Sequence, residues 1–178
     1  MNHVHKTPLS AFPERAERLG RIAADLPLSQ DHPLLKAASL PEWSAEALKG
    51  ALIRYLHTTL TANYPDRDIP LTQTILEDHA DLITALPNVT PNGIVLPKLE
   101  TYVSHMLLHR QVVEIFEASG FPQHVEAIQA PINVLLVSGK PDAAIDGRPR
   151  ASAKFHTDIW AGEPASGFMV FLPVLGDT

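Results

Sequence analysis

Sixteen prolines are spread through this chain of 178 residues, and they set an upper length on every helix it can form. A proline inside a helix removes a backbone donor and clashes with the preceding turn, so helices begin after it or stop before it. Phe12 to Leu26 is a helix by this reading, with Pro13 near its start and Pro27 just beyond its end. Pro33 to Leu40 is a linker or a single turn. Ser44 is the expected cap of a second helix running to Asn63, with Leu48, Leu52, Tyr55, Leu56 and Leu60 at helical spacing. Tyr64-Pro65-Asp66 ends it. A further helix carries Ile75, Leu76, Leu82 and Ile83 and stops before Pro87.

Pro87 to Pro97 holds Asn92-Gly93 between prolines and reads as a turn region. The strongest helix follows, Lys98 to Ala118. Its expected core stripe is Leu99, Tyr102, Val103, Met106, Leu107, Val113 and Phe116, with Gly120 as the C-terminal cap. Past Pro131 the period changes. Ile132 to Val137 is short, apolar and β-branched, as a buried strand would be; Arg150 to His156 and Phe168 to Leu172 are two more strands. Helices first and strands later predict an α+β fold, with a helical region over 1–130 and a strand-rich part over 131–178.

Composition narrows the function classes. A net charge of -6 with no Lys/Arg cluster argues against nucleic acid and against anionic membrane surfaces. No apolar run reaches the roughly 18 residues that span a bilayer. Met1 to Lys6 lacks the apolar stretch of a signal peptide, and a cytoplasmic location is expected. With no cysteine, disulfides, thiolate catalysis and Cys-based metal sites are excluded.

The residues that carry chemistry lie late in the chain. His156-Thr157-Asp158 closes the second expected strand, where side chains two apart share a face. An imidazole and a carboxylate so placed can grip one metal ion, and they are two thirds of the facial triad of non-haem Fe(II). Lys154, two residues earlier, shares that face and can meet an anionic co-substrate or serve as a solvated strand residue. Asn133 either lines the site or satisfies a neighbouring backbone group. Trp160 and Glu163 shape the pocket mouth or pack beside it. His105 and His109 have the i, i+4 spacing of a helical zinc pair, but Met106 follows His105 where a zincin motif has Glu, and a metal role is not assigned to them. Asp78, His79 and Asp81 read as a solvated helix face.

The segment from Pro131 to Asp177 resembles Fe(II)/2-oxoglutarate-dependent oxygenases of the phytanoyl-CoA-dioxygenase-like kind, in the branch tied to bacterial carbohydrate and aminoglycoside gene clusters. The resemblance rests on Pro131-Ile132-Asn133-Val134, Arg148-Pro149, the run Lys154 to Pro164, and Phe171-Leu172-Pro173-Val174. It implies a double-stranded β-helix (jelly roll), Fe(II) held by His156 and Asp158, and 2-oxoglutarate as co-substrate; Lys154 and Asn133, from the reading of their own positions, are the candidates to bind that co-substrate. The implied reaction is hydroxylation of a small metabolite, such as a carbohydrate.

The chain departs from that pattern after Asp158, where no His, Lys or Arg occurs. The family needs a distal His and a cation for the far carboxylate of 2-oxoglutarate, and a jelly roll needs about eight strands. Either an N-terminal fragment of a longer oxygenase or a degenerate relative that cannot bind iron tightly fits this departure; the fragment, inactive alone and with an exposed apolar edge at Phe168, Val170 or Leu172, is the expectation. A non-catalytic binding module and a cupin-type sugar isomerase or epimerase are the alternative readings.

Overall fold

The computed structural model describes residues 13–29, 35–90, 93–137, 167 and 169–176. Its elements in chain order are α1 (Pro13–Asp25), α2 (Glu42–Asn63), α3 (Ile75–Asp78), α4 (Ala80–Thr84), β1 (Ile94–Val95), a 3-10 turn (Leu99–Thr101), α5 (Tyr102–Ser119), a second 3-10 turn (Phe121–Gln123) and β2 (Val134–Leu135).

Helix α2 is the axis of the molecule. It starts after Pro41 rather than at Ser44. Ser44 lies in the first turn, 2% exposed, and its hydroxyl donates to the Pro41 carbonyl at 2.8 Å instead of accepting a bond from a helix N–H. Three further hydroxyls, of Thr58, Thr59 and Thr61, donate to carbonyls one turn back, so these polar residues sit in the helix with their donors satisfied. The helix ends at Tyr64, whose N–H donates to the Leu60 carbonyl at 2.8 Å ahead of Pro65.

Two hydrophobic clusters flank α2. One joins Leu48, Ala51 and Tyr55 to Leu108, Val112, Ile115 and Phe116 of α5 and to Val95 and Val134 of the two strands. The other joins Ile53, Leu56 and Leu60 to Ile69, Ile75, Ile83 and Leu86. Because α2 is covered on both sides, its apolar residues do not form one narrow stripe. The helix expected after Leu71 is two short helices, interrupted at His79 with φ -130 and ψ 27. Hydroxyls of Thr72 and Thr74 donate to Asp78 Oδ2 at 3.2 and 2.7 Å, which pins the chain just before that break.

The turn region after Pro87 contains a strand that periodicity alone did not reveal. Ile94 pairs with Leu135 and Val95 with Val134 in an antiparallel two-stranded sheet, and Val89 bridges to Val95 on the other edge. Gly93 makes the junction work. Its φ is +86, and a Cβ there would stand 2.3 Å from the Leu136 carbonyl oxygen, so only glycine fits. Gly120 caps α5 at φ 81, as its position after the last helical residue predicts.

Three sequence expectations are corrected. The stripe assigned to the core on α5 is largely its outer face: Leu99, Tyr102, Val103 and Leu107 are 89%, 56%, 71% and 52% exposed. The buried face is Thr101, His105, Leu108, Val112, Ile115 and Phe116. The strand expected over Ile132 to Val137 shrinks to Val134–Leu135, the only part that has a ladder partner in β1. Met169 to Leu172 form no strand: Met169, Val170 and Phe171 are exposed, and they have no ladder partner among the described residues. Leu172 and Val174 pack instead against the α2–α5 cluster. The described part is thus mixed, mostly helical with one small sheet. Most of the segment to which the jelly-roll expectation applies, including 138–166, lies outside the described residues.

Candidate functional site

His156, Asp158 and Lys154, together with Trp160 and Glu163, lie outside the described residues. Asn133 is described, and it is exposed immediately before β2 rather than buried in a strand. The strand that sequence patterning places ahead of the metal motif is therefore anchored to the helical part by β1, with Val134 in the core and Asn133 facing solvent.

Among the described residues no group of three or more His, Cys, Asp or Glu side chains is placed to hold a metal ion. His105 and His109 do not open a second site. His105 is 1% exposed and points into the core, where its ring stands edge-on to Tyr55 with centroids 5.1 Å apart. Neither of its ring nitrogens makes a hydrogen bond of good geometry, and the same holds for Nδ1 of His109. Burial pushes the His105 imidazole below its usual range; the backbone of Ile132 opposes that shift, and the nearby His109 adds to it. Tyr55 is fully buried, its phenol raised by burial against a smaller opposing effect of Thr59. Its hydroxyl donates to the Val95 carbonyl at 3.4 Å, tying α2 to the sheet. Tyr55 and His105 form a buried polar seam, which is structural chemistry rather than a ligand-facing pair.

The outer side of the α2–α5 contact is open. A groove of about 430 Å³ is lined by Arg54, His57, Leu71, Glu100, Val103 and Leu107, with Ala51 at its base. It continues through the shared residues Ala51, Arg54 and Leu107 into a shallower space of about 200 Å³ that adds Arg110, Gln111 and Glu114. The guanidinium of Arg54 lies beside Gly50, whose missing Cβ would stand 3.9 Å from both terminal nitrogens. His57 is already engaged, 2.9 Å from the Ile69 carbonyl through Nε2. Arg110 pairs with Glu114 at 2.8 Å, one turn along α5 and well exposed.

Sequence reasoning passed over this groove because it assigned Leu99, Val103 and Leu107 to the core. The signal was present: Glu100 and Arg110 flank Val103 and Leu107 on the same helical face, and charges on both sides of an apolar pair belong to a solvent-facing surface. Among the described residues no helix is long and apolar enough to cross a membrane. Comparison with family models, with curated proteins and with solved structures finds no match for this chain.

Proposed function

We propose that this chain contributes the helical region and two iron ligands, His156 and Asp158, to a non-haem Fe(II)/2-oxoglutarate-dependent oxygenase acting on a small metabolite of carbohydrate type. The single observation that carries the reading is the run Lys154 to Pro164, in which an imidazole and a carboxylate are spaced by one residue. That donor set suits Fe(II): one borderline nitrogen and one hard oxygen, with other coordination positions left for a keto acid and O2. When bound, the metal would supply the oxidative chemistry that couples decarboxylation of 2-oxoglutarate to hydroxylation of a C–H bond.

The chain's own residues have narrower tasks in this reading. His156, neutral at its metal-facing nitrogen, and Asp158, ionised, hold the ion. Lys154 presents an ammonium to the carboxylates of the co-substrate, and Asn133, exposed just before β2, is a candidate to offer amide donors to it.

The test is anaerobic titration of the full chain with Fe(II) or Co(II), with and without 2-oxoglutarate, read by ligand-field or charge-transfer absorption. The expected result is weak binding by the chain alone, strengthened by 2-oxoglutarate and lost in both His156→Ala and Asp158→Ala. Metal binding that survives both substitutions overturns the reading.

A further inference from the structure

We propose that the outer face of α5 is a two-fold interface, on which a second copy of this chain packs its own α5 antiparallel to the first. Val103 and Leu107 on α5, with Leu99 in the 3-10 turn that leads into it, are large, apolar and exposed beside the open α2–α5 groove. Soluble proteins seldom leave such a patch bare unless something covers it. Charge decides what the cover is. Glu100, in the 3-10 turn that leads into α5, and Arg110, on α5, lie along the same face at opposite ends of the Val103–Leu107 pair, roughly 15 Å apart along the axis. A partner surface of uniform charge would answer one of them and repel the other.

A second copy answers both. In an antiparallel two-fold pair centred level with residue 105, Val103 meets Leu107 of the second copy and Glu100 meets its Arg110. The arrangement is isologous, so each contact occurs twice and the interface closes at two subunits. The Glu100–Arg110 contacts lie at the rim. They fix direction and register, while the apolar centre supplies most of the affinity. Within one copy, Arg110 already pairs with Glu114 in an exposed bridge, which such a partner can reorganise at little cost.

Sedimentation equilibrium of the full chain tests this across roughly 5 to 500 μM, the range in which a weak, specific dimer dissociates. A monomer–dimer equilibrium is expected. Leu107→Glu and Val103→Lys should each weaken it by tenfold or more, and far-UV circular dichroism should stay unchanged because both positions are already exposed. Glu100→Arg and Arg110→Glu should each weaken association severalfold, and the double variant E100R/R110E should restore it. A chain that stays monomeric throughout overturns the proposal and leaves the groove to a different partner. A dimer insensitive to Leu107→Glu and Val103→Lys overturns it as well, and a double variant no better than the singles overturns the antiparallel register.

Discussion

The ring of His105 meets the ring of Tyr55 edge-on, at 5.1 Å between centroids and 65° between planes, deep in the contact between α5 and α2. Both side chains are essentially inaccessible to solvent. The pair joins the two principal helices, and the Tyr55 hydroxyl extends that tie to the sheet through Val95. Its cost is an imidazole with no good hydrogen bond on either nitrogen.

That cost makes stability depend on pH. The folded state lowers the His105 pKa, chiefly by burial, from an ordinary value of 6.5. As pH falls through about 6.5 the unfolded chain takes up a proton that the folded chain still refuses. The unfolded state then binds more protons and stability falls, until the pH drops below the folded pKa and the loss levels off. Above the unfolded pKa both states are neutral and His105 contributes no slope. The groups acting on it are Tyr55 from α2, the Ile132 backbone before β2 and His109 on its own helix. His105→Phe keeps an aromatic edge contact and removes both orphaned nitrogens. Urea unfolding should show a flatter stability profile below pH 6.5, with the variant ahead of the parent by about 1 kcal/mol at the acid end. An unchanged slope would show that another group sets the acid sensitivity.

Adjacent leucines on α5 should respond very differently to truncation. Leu108 is 2% exposed in the α2–α5 cluster, whereas Leu107 is 52% exposed on the outer face. Leu108→Ala should cost roughly 2–5 kcal/mol in chemical denaturation, the range for a cavity in a packed core. Leu107→Ala should stay within about 0.5 kcal/mol when measured at concentrations where the chain is monomeric. Equal costs would return the face assignment to the one that periodicity suggested.

Gly93 should tolerate no side chain. Alanine there combines a positive φ with a Cβ pressed against the Leu136 carbonyl, and backbone rather than a flexible side chain would have to yield. Gly93→Ala should destabilise the protein by about 2 kcal/mol or more. Because Leu136 N–H donates to the Gly93 carbonyl at 2.8 Å, amide exchange at Leu136 should accelerate more than exchange in the middle of α2. Uniform acceleration across the chain would mean that the sheet and the helices unfold as one unit.

The iron reading predicts a proton dependence of its own. A bound imidazole must be neutral and a bound carboxylate ionised, so protons compete with the metal and affinity should be lower in acid than near neutrality. Titrations at pH 7.5 and 5.5 measure this directly. Affinity that does not change between them would point to oxygen donors alone and remove His156 from the site.

The sequence by itself determined where α1, α2 and α5 lie and where they stop, though not the break at His79. Pro13 near the start of α1, Pro65 after α2 and Gly120 after α5 act through their own backbone geometry, which neighbours in space do not alter. It also held the His156–Asp158 spacing, because a motif separated by one residue is local. Tertiary structure decided which side of each helix is inside. Helix α5 is apolar on two faces, Val103 and Leu107 on one (continued by Leu99 in the preceding 3-10 turn) and Leu108, Val112 and Ile115 on the other, and a period of 3.6 cannot choose between them. The choice falls to the face that carries a histidine, because α2 supplies Tyr55 and the sheet supplies Val95 and Val134 on that side. The β1–β2 pair was equally out of reach: two-residue strands some forty positions apart have no period to detect, and they exist only because each satisfies the other's backbone.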